Sequence, residues 1–386
     1  MQQVRVLLVQ LASMGDCLFV TAIARQIKEI DFPGCHLTWM IGSRYTPAIK
    51  NNPYVDAVIE IPLISLNDNY EQRILINEHT ANAGGYKKFD KIFVTDYTTA
   101  NFKNWFGTTR SALFRSYPYE LKVNPQPIIY LTDEEKARVA EFCSKNNIDD
   151  TSYNILFECS PQSGQSLMTL DKAKRIAAQT TIKNKNVKFI LTSNQSFVSD
   201  NPNIIDGSVI SWRENAELAN FCNLMVGCSS GISWLCTSQW TKPLPFIQIV
   251  NPGYMKGNFS ASMKIDFRYF GIVTNNLVEL YNPSEDLVQA CILSACKNDF
   301  ESIRRKYDVN DNSYYTKYEF LKQASISIPE KIGIYITSFL PNFFISYFRQ
   351  MKPGWFTPNA WLLKVKSIFS IMKDLFVLYK KNRKKV

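Results

Sequence analysis

The chain has 386 residues, 46% of them hydrophobic and 20% charged, with nine cysteines and a formal net charge of +10. That composition excludes a disordered or fibrous chain, and the length exceeds one ordinary domain, so two or three are expected. From Lys331 onward there are eleven basic residues and a single acid, Asp374, so the tail holds the whole net charge and residues 1–330 sum to zero.

The opening MQQVRVLLVQLASMGD does not read as a secretory signal: its apolar run is short, and Gly15-Asp16 stands where a cleavage site would fall. Residues 4–9 (VRVLLV) form a short β-branched, apolar run, the pattern of a strand buried in a parallel sheet. A tight loop, Ala12-Ser13-Met14-Gly15-Asp16, follows it. Leu18, residues 20–23 and Ile27 then supply an apolar helical face. Strands are expected at 36–41 (HLTWMI), within 54–61 and at 91–95 (KIFVT). Residues 132–145 read as a helix whose start, Thr132 followed three residues later by Glu135, fits a capping box.

After the polar stretch 146–153 the rhythm repeats. A strand is expected at 154–158, a helix near 169–182, a strand at 188–191 (KFIL), a helix at 214–222 and a strand at 224–226. A Ser/Gly turn at 228–231 comes next, and closing helices rich in tyrosine and charge occupy 285–325. Alternating strands and helices predict doubly wound parallel α/β sheets, whose ligands sit at the carboxyl ends of the strands. The division expected is residues 1–148 and 149–300 as two Rossmann-like domains facing a cleft, 301–326 as closing helices, and 327–386 as a basic amphipathic tail.

Three loops could carry chemistry. Asp16 follows a glycine turn at a helix start, where a carboxylate can take a proton from an attacking hydroxyl. The same residue would also serve as a plain capping aspartate. The loop after strand 154–158, Glu158-Cys159-Ser160-Pro161-Gln162-Ser163-Gly164-Gln165-Ser166, is rich in small residues that let backbone N–H groups approach a diphosphate. An ordinary polar connection would look similar. The third is Val226-Gly227-Cys228-Ser229-Ser230-Gly231-Ile232-Ser233-Trp234, whose serines and glycine amide suit phosphate. Upstream of it, Trp212-Arg213-Glu214 precedes a helix.

Residues 4–61 as a whole resemble the opening of glycosyltransferase family 9, the heptosyltransferase-like family. The resemblance is carried by Ser13-Met14-Gly15-Asp16, the helix 20–27, the strand 37–41 and Asn52-Pro53-Tyr54-Val55-Asp56, in that order. It implies a GT-B fold and metal-independent, inverting sugar transfer with no cofactor beyond a nucleotide-sugar co-substrate. It makes Asp16 the general base and puts Ser13, Met14 and Gly15 on the acceptor side. On the donor side it implies Gln162, Ser163, Gly164, Ser229, Ser230 and Gly231, with Glu214 near the donor ribose and Arg213 near phosphate. The sequence departs from the family pattern in having no Lys or Arg before Lys172 in the second loop, Ser229 in place of an aspartate and Trp234 in place of a histidine. No particular donor sugar follows from it.

An odd cysteine count without a C-x-x-C pair argues against a disulfide framework or a zinc site, so reduced, mostly buried thiols in a cytoplasmic protein are expected. Only His36 and His79 are present, which leaves a histidine triad or histidine metal site without residues. In the tail, Trp361, Val365, Ile368, Phe369, Met372, Leu375, Phe376 and Tyr379 recur at helical spacing among lysines. The segment 332–351 is aromatic and broken by Pro341. No uncharged stretch reaches the roughly 18–20 residues that span a bilayer. Such helices lie in the interface of an anionic membrane, where each basic residue contributes about 1 kcal/mol. Nucleic acid is not expected as a partner, because the body carries no charge excess.

The sequence therefore points to a peripheral enzyme on the cytoplasmic face of the inner membrane. It would move a sugar from a nucleotide-sugar to a lipid-linked saccharide in bacterial lipopolysaccharide or capsule synthesis. Two other readings stay open: a GT-B polyol-phosphate transferase of teichoic-acid type, and a non-catalytic GT-B scaffold.

Overall fold

The computed structural model describes residues 3–62, 88–95, 109–161, 164–251, 262–269, 272 and 275–307. Strand β1 (Arg5–Val9) is buried on both faces, with Val6 and Leu8 in one apolar cluster and Leu7 and Val9 in another. Burial on both sides is why its sequence is continuously apolar and does not alternate. It pairs in parallel with β2 (His36–Gly42) and β4 (Lys91–Val94), and β2 pairs with β3 (Ala57–Ile61), giving the order β3-β2-β1-β4. Helix α1 (Met14–Gln26) leaves β1 and is apolar nearly all round, because it is wedged between its own sheet and the second unit. Helix α2 (Thr109–Ser116) packs beside it through Leu113 and Phe114.

The second sheet has six parallel strands: β5 (Tyr153–Glu158), β6 (Val187–Thr192), β7 (Ile204–Asp206), β8 (Leu224–Gly227), β9 (Phe246–Val250) and β10 (Leu277–Tyr281). Their order is β7-β6-β5-β8-β9-β10. Counted from its own first strand this is 3-2-1-4-5-6, the Rossmann order, and the first sheet repeats its opening, 3-2-1-4. In each sheet the chain runs outward one way and then returns to the other side of the first strand. That leaves a crevice at the carboxyl end of β1 and another at the carboxyl end of β5.

Helix α3 (Asp133–Lys145) starts with the expected capping box: Glu135 N–H donates to Thr132 Oγ1 at 3.1 Å, and Thr132 N–H to Glu135 Oε2 at 2.8 Å. Although α3 precedes residue 148, its Val139, Phe142 and Cys143 pack with Leu156, Ile190 and Met225 of the second sheet. Helices α4 (Leu170–Lys183), α8 (Glu285–Ala295) and α9 (Phe300–Tyr307) cover the opposite face. The helix expected at 214–222 is shorter: α5 (Asn215–Leu218) tightens into a single 3-10 turn, Ala219–Phe221. Two further short helices complete the unit, α6 (Gly231–Leu235) and α7 (Met263–Tyr269).

None of the nine cysteines forms a disulfide; eight are buried and Cys296 is half-buried. His36 opens β2. Among the described residues no helix is long and apolar enough to cross a membrane. The tail 327–386, most of the closing segment 301–326, and His79 lie outside the described residues.

Candidate active-site cleft

Asp16 lies in the first turn of α1, three residues after Ser13. Its Oδ2 accepts from the Ser13 backbone N–H and from the Ser13 hydroxyl, both at 3.1 Å. Ser13 is exposed, and Met14, Gly15 and Asp16 are half-buried, so the loop reaches the surface at the carboxyl end of β1. Across from it stands the turn after β8. A Cβ placed on Gly15 would lie 3.9 Å from the Gly231 Cα and 4.0 Å from Trp234 Cδ1. The carboxyl-end loops of the two sheets thus meet across one seam.

Aromatic and cationic side chains close that seam below the loops. Phe19 of α1 meets Trp234 edge-on, with centroids 4.8 Å apart and planes at 85°. The fully buried Arg110 guanidinium lies over three rings, at 4.7 Å from Phe19, 4.8 Å from Trp234 and 5.3 Å from Phe267. Its Nε donates to Asp266 Oδ2 at 2.6 Å, joining α2 to α7. Burial pulls the Arg110 pKa down, and Asp266 opposes that pull. Trp234, where the family resemblance places a histidine, therefore serves as the contact between the two units.

The turn 228–231 is built over a buried carboxylate. Glu158, the last residue of β5, is 2% exposed. Its Oε2 accepts from the Cys228 N–H at 3.0 Å and the Ser233 hydroxyl at 2.5 Å, and its Oε1 accepts from the Ser230 hydroxyl. Burial pushes the Glu158 carboxyl upward, partly offset by the Ser233 and Cys228 donors. Ser233 Oγ in turn accepts from the N–H groups of Cys228 and Ser229, at 3.0 and 3.1 Å. These bonds hold Ser229 at φ +59°, in the left-handed region. Gly227 is required beneath them, since a Cβ there would lie 2.4 Å from Ser233 Oγ and 2.5 Å from Gln248 Oε1.

Parallel register extends this polar layer across the sheet. Thr192 pairs with Glu158, and Gly227 with Gln248, which pairs with Glu279. All lie two residues beyond the apolar row of Ile190, Leu156, Met225, Phe246 and Leu277, on the same face. Glu279 accepts from the Ser262 hydroxyl at 2.7 Å and the Lys264 N–H at 3.0 Å, and so ties the start of α7 to β10. Burial raises its pKa from 4.5 to about 7.

The structure brings the loop that holds Ser13, Met14, Gly15 and Asp16 against the turn that holds Ser229, Ser230 and Gly231, with Gly15 facing Gly231. Gly164, at φ +76°, accepts from Asn251 Nδ2 at 3.1 Å, which pins its loop to the end of β9. Gln162 and Ser163 lie outside the described residues.

Arg213 and Glu214 are the corrections. Arg213 is 4% exposed, and its guanidinium donates to Glu135, to the Tyr130 carbonyl and to the Pro47 carbonyl, the last at 2.7 Å. It clamps the first unit to α3, so its charge does not serve the phosphate contact expected from the sequence. Glu214 is 3% exposed, accepting from Arg138 Nε at 2.6 Å and from the Ser211 N–H at 2.8 Å. Both charges are spent inside the protein, as buried charges have to be.

Glu158, Ser233, Arg110 and Phe19 were given no role from the sequence. Only Glu158 left a signal there, as a charged residue ending the apolar strand NILFE. Among the described residues no group of three or more His, Cys, Asp or Glu side chains could hold a metal ion.

Two Rossmann-type units meeting at their carboxyl-end loops make up the GT-B plan expected from the sequence. No family model matches the chain, and no curated protein matches it. Among solved structures it is similar to a glycosyl transferase family 9 protein from Veillonella parvula, at 14% identity and a TM-score of 0.49, covering 88% of this chain and 99% of that one. It is also similar to the E. coli ADP-heptose lipopolysaccharide heptosyltransferase II, at 13% identity and 0.49, covering 77% and 99%. A third likeness is to Acinetobacter baumannii MurG, at 12% identity and 0.43, covering 83% and 99%. At such identities no residue's role carries across.

Proposed function

We propose that the protein is an inverting, metal-independent glycosyltransferase that moves a sugar from a nucleotide-sugar to a lipid-linked saccharide in bacterial surface-glycan synthesis. The apposition of the Ser13–Asp16 loop with the 229–231 turn at the carboxyl ends of both sheets carries this reading. The donor sits on the second unit, and the acceptor hydroxyl approaches from the first. Asp16 takes its proton as the hydroxyl attacks the anomeric carbon, and the nucleoside diphosphate leaves from the opposite face. The basic tail holds the body on the anionic cytoplasmic face of the membrane, so that the lipid-linked acceptor reaches the cleft from that surface.

A second reading, a GT-B scaffold without activity, draws on two observations. The Asp16 carboxylate already caps its own helix, and Arg213 and Glu214 are used structurally. A thermal-shift panel of nucleotide-sugars and nucleoside diphosphates, followed by donor-hydrolysis assays on whichever binds, separates the two. Stabilisation by one nucleotide family together with slow donor hydrolysis is the expected result. A flat panel contradicts the transferase, and a response to CDP alone points to polyol-phosphate transfer.

A further inference from the structure

The N–H protons of Cys228 and Ser229 and the hydroxyl proton of Ser230 are already spoken for. A serine hydroxyl has one hydrogen to give and two lone pairs with which to accept. The Ser230 hydrogen goes to Glu158 Oε1, and one lone pair accepts the Ile232 N–H at 3.4 Å. The N–H groups of Cys228 and Ser229 point inward as well, to Glu158 and to Ser233 Oγ. Ser233 has both lone pairs occupied by those two amides, so its own hydrogen is committed to Glu158 Oε2. Three donors therefore converge on Glu158, the hydrogen-bond set that favours its ionised form against the upward push of burial. What half-exposed Ser230 keeps is one lone pair.

We infer that Glu158 makes the Ser230 hydroxyl an obligate hydrogen-bond acceptor, so that this side chain reads a hydroxyl of the donor sugar and not a phosphate oxygen. The inference rests on the glycosyltransferase reading and deepens it by naming what this side chain selects. A phosphate oxygen brings only lone pairs, and it would meet a lone pair on Ser230 with the Glu158 charge directly beneath. A sugar hydroxyl brings the hydrogen that Ser230 lacks. Glu158 is thus a positioning residue that acts through Ser230.

The test compares paired ligands on the full-length protein: UDP-glucose with UDP, GDP-mannose with GDP, and ADP-glucose with ADP. Dissociation constants are measured for the wild type and two variants. The wild type is expected to bind one nucleotide-sugar more tightly than its own diphosphate. Ser230→Ala should weaken that nucleotide-sugar by about tenfold, as loss of one hydrogen bond does, and leave the diphosphate within about twofold. In Glu158→Gln the new amide N–H can donate to Ser230 Oγ, which frees the serine hydrogen to face outward. The ratio of sugar to diphosphate affinity should then fall toward one while the diphosphate binds at least as well as before. Purely structural damage would weaken both ligands together and keep the ratio, which would overturn the inference. Should Glu158→Gln not fold, the Ser230→Ala ratio decides alone. Diphosphate binding with no preference for any sugar in the wild type overturns this inference and leaves the transferase reading standing. Binding of neither ligand class overturns both.

Discussion

The two units place a carboxylate at the same topological point and use it in opposite ways. In the first, Asp16 lies after the opening strand, on the first turn of a helix, half-buried and held by its own neighbour Ser13. In the second, Glu158 ends the opening strand, 2% exposed and held by three donors from another loop. An accessible carboxylate at a strand end can exchange protons with a substrate, whereas a buried and saturated one can only shape the groups around it. On the proposed reading, one Rossmann unit is thereby fitted for chemistry and the other for recognition.

The comparison breaks most severely if the units no longer meet. Arg110→Ala would strip the cation from between Phe19, Trp234 and Phe267 and take the guanidinium from the buried Asp266 carboxylate. A loss of about 3–5 kcal/mol is expected in denaturant unfolding. A change under about 1 kcal/mol would mean that the seam is not held there.

Next in size is the other carboxylate of the second unit's polar row. Glu279 has a folded pKa of about 7 against an ordinary 4.5, with burial the dominant cause. A raised carboxyl pKa favours the folded state at low pH. The contribution is complete below about 4.5 and is lost as pH rises through about 7. The shift corresponds to roughly 3 kcal/mol. Unfolding free energy measured from pH 5 to pH 8.5 should fall along that course in the wild type and flatten in Glu279→Gln. An unchanged slope in the variant would take Glu279 out of the account.

A smaller effect tests the packing beneath the 228–231 turn. Gly227→Ala forces a methyl against Ser233, Gln248 and Phe246 and should cost about 1–3 kcal/mol, measured by thermal or denaturant unfolding. A neutral substitution would show that the turn has room to move.

Much of this was legible in the sequence, and the exceptions have physical causes. β1, β2, β5 and β6 are continuous apolar runs because both faces are covered, and each was read within a residue or two of its ends. Thr132 and Glu135 announced α3 through their mutual caps. Strands β9 and β10 were missed. Each carries a polar residue at or near its centre, Gln248 in FIQIV and Glu279 in LVELY, and buried polar groups mimic solvent-facing ones in a one-dimensional pattern. β7 is three residues long, too short for any period to show. At the cleft, the glycine turns and serines were visible as loop composition. Where Arg213 and Glu214 point was not, because both partners of that clamp, α3 and the 47–50 segment, are distant in the chain.

The central claim is that Asp16 takes the acceptor's proton at the seam between the two units, and Asp16→Asn tests it most directly. Asparagine keeps an oxygen to accept from Ser13, so the helix start survives while the base is removed. Sugar transfer should fall by about 10²–10⁴-fold, with donor affinity and thermal midpoint close to the wild type. Transfer at the wild-type rate in that folded, donor-binding variant would contradict the account.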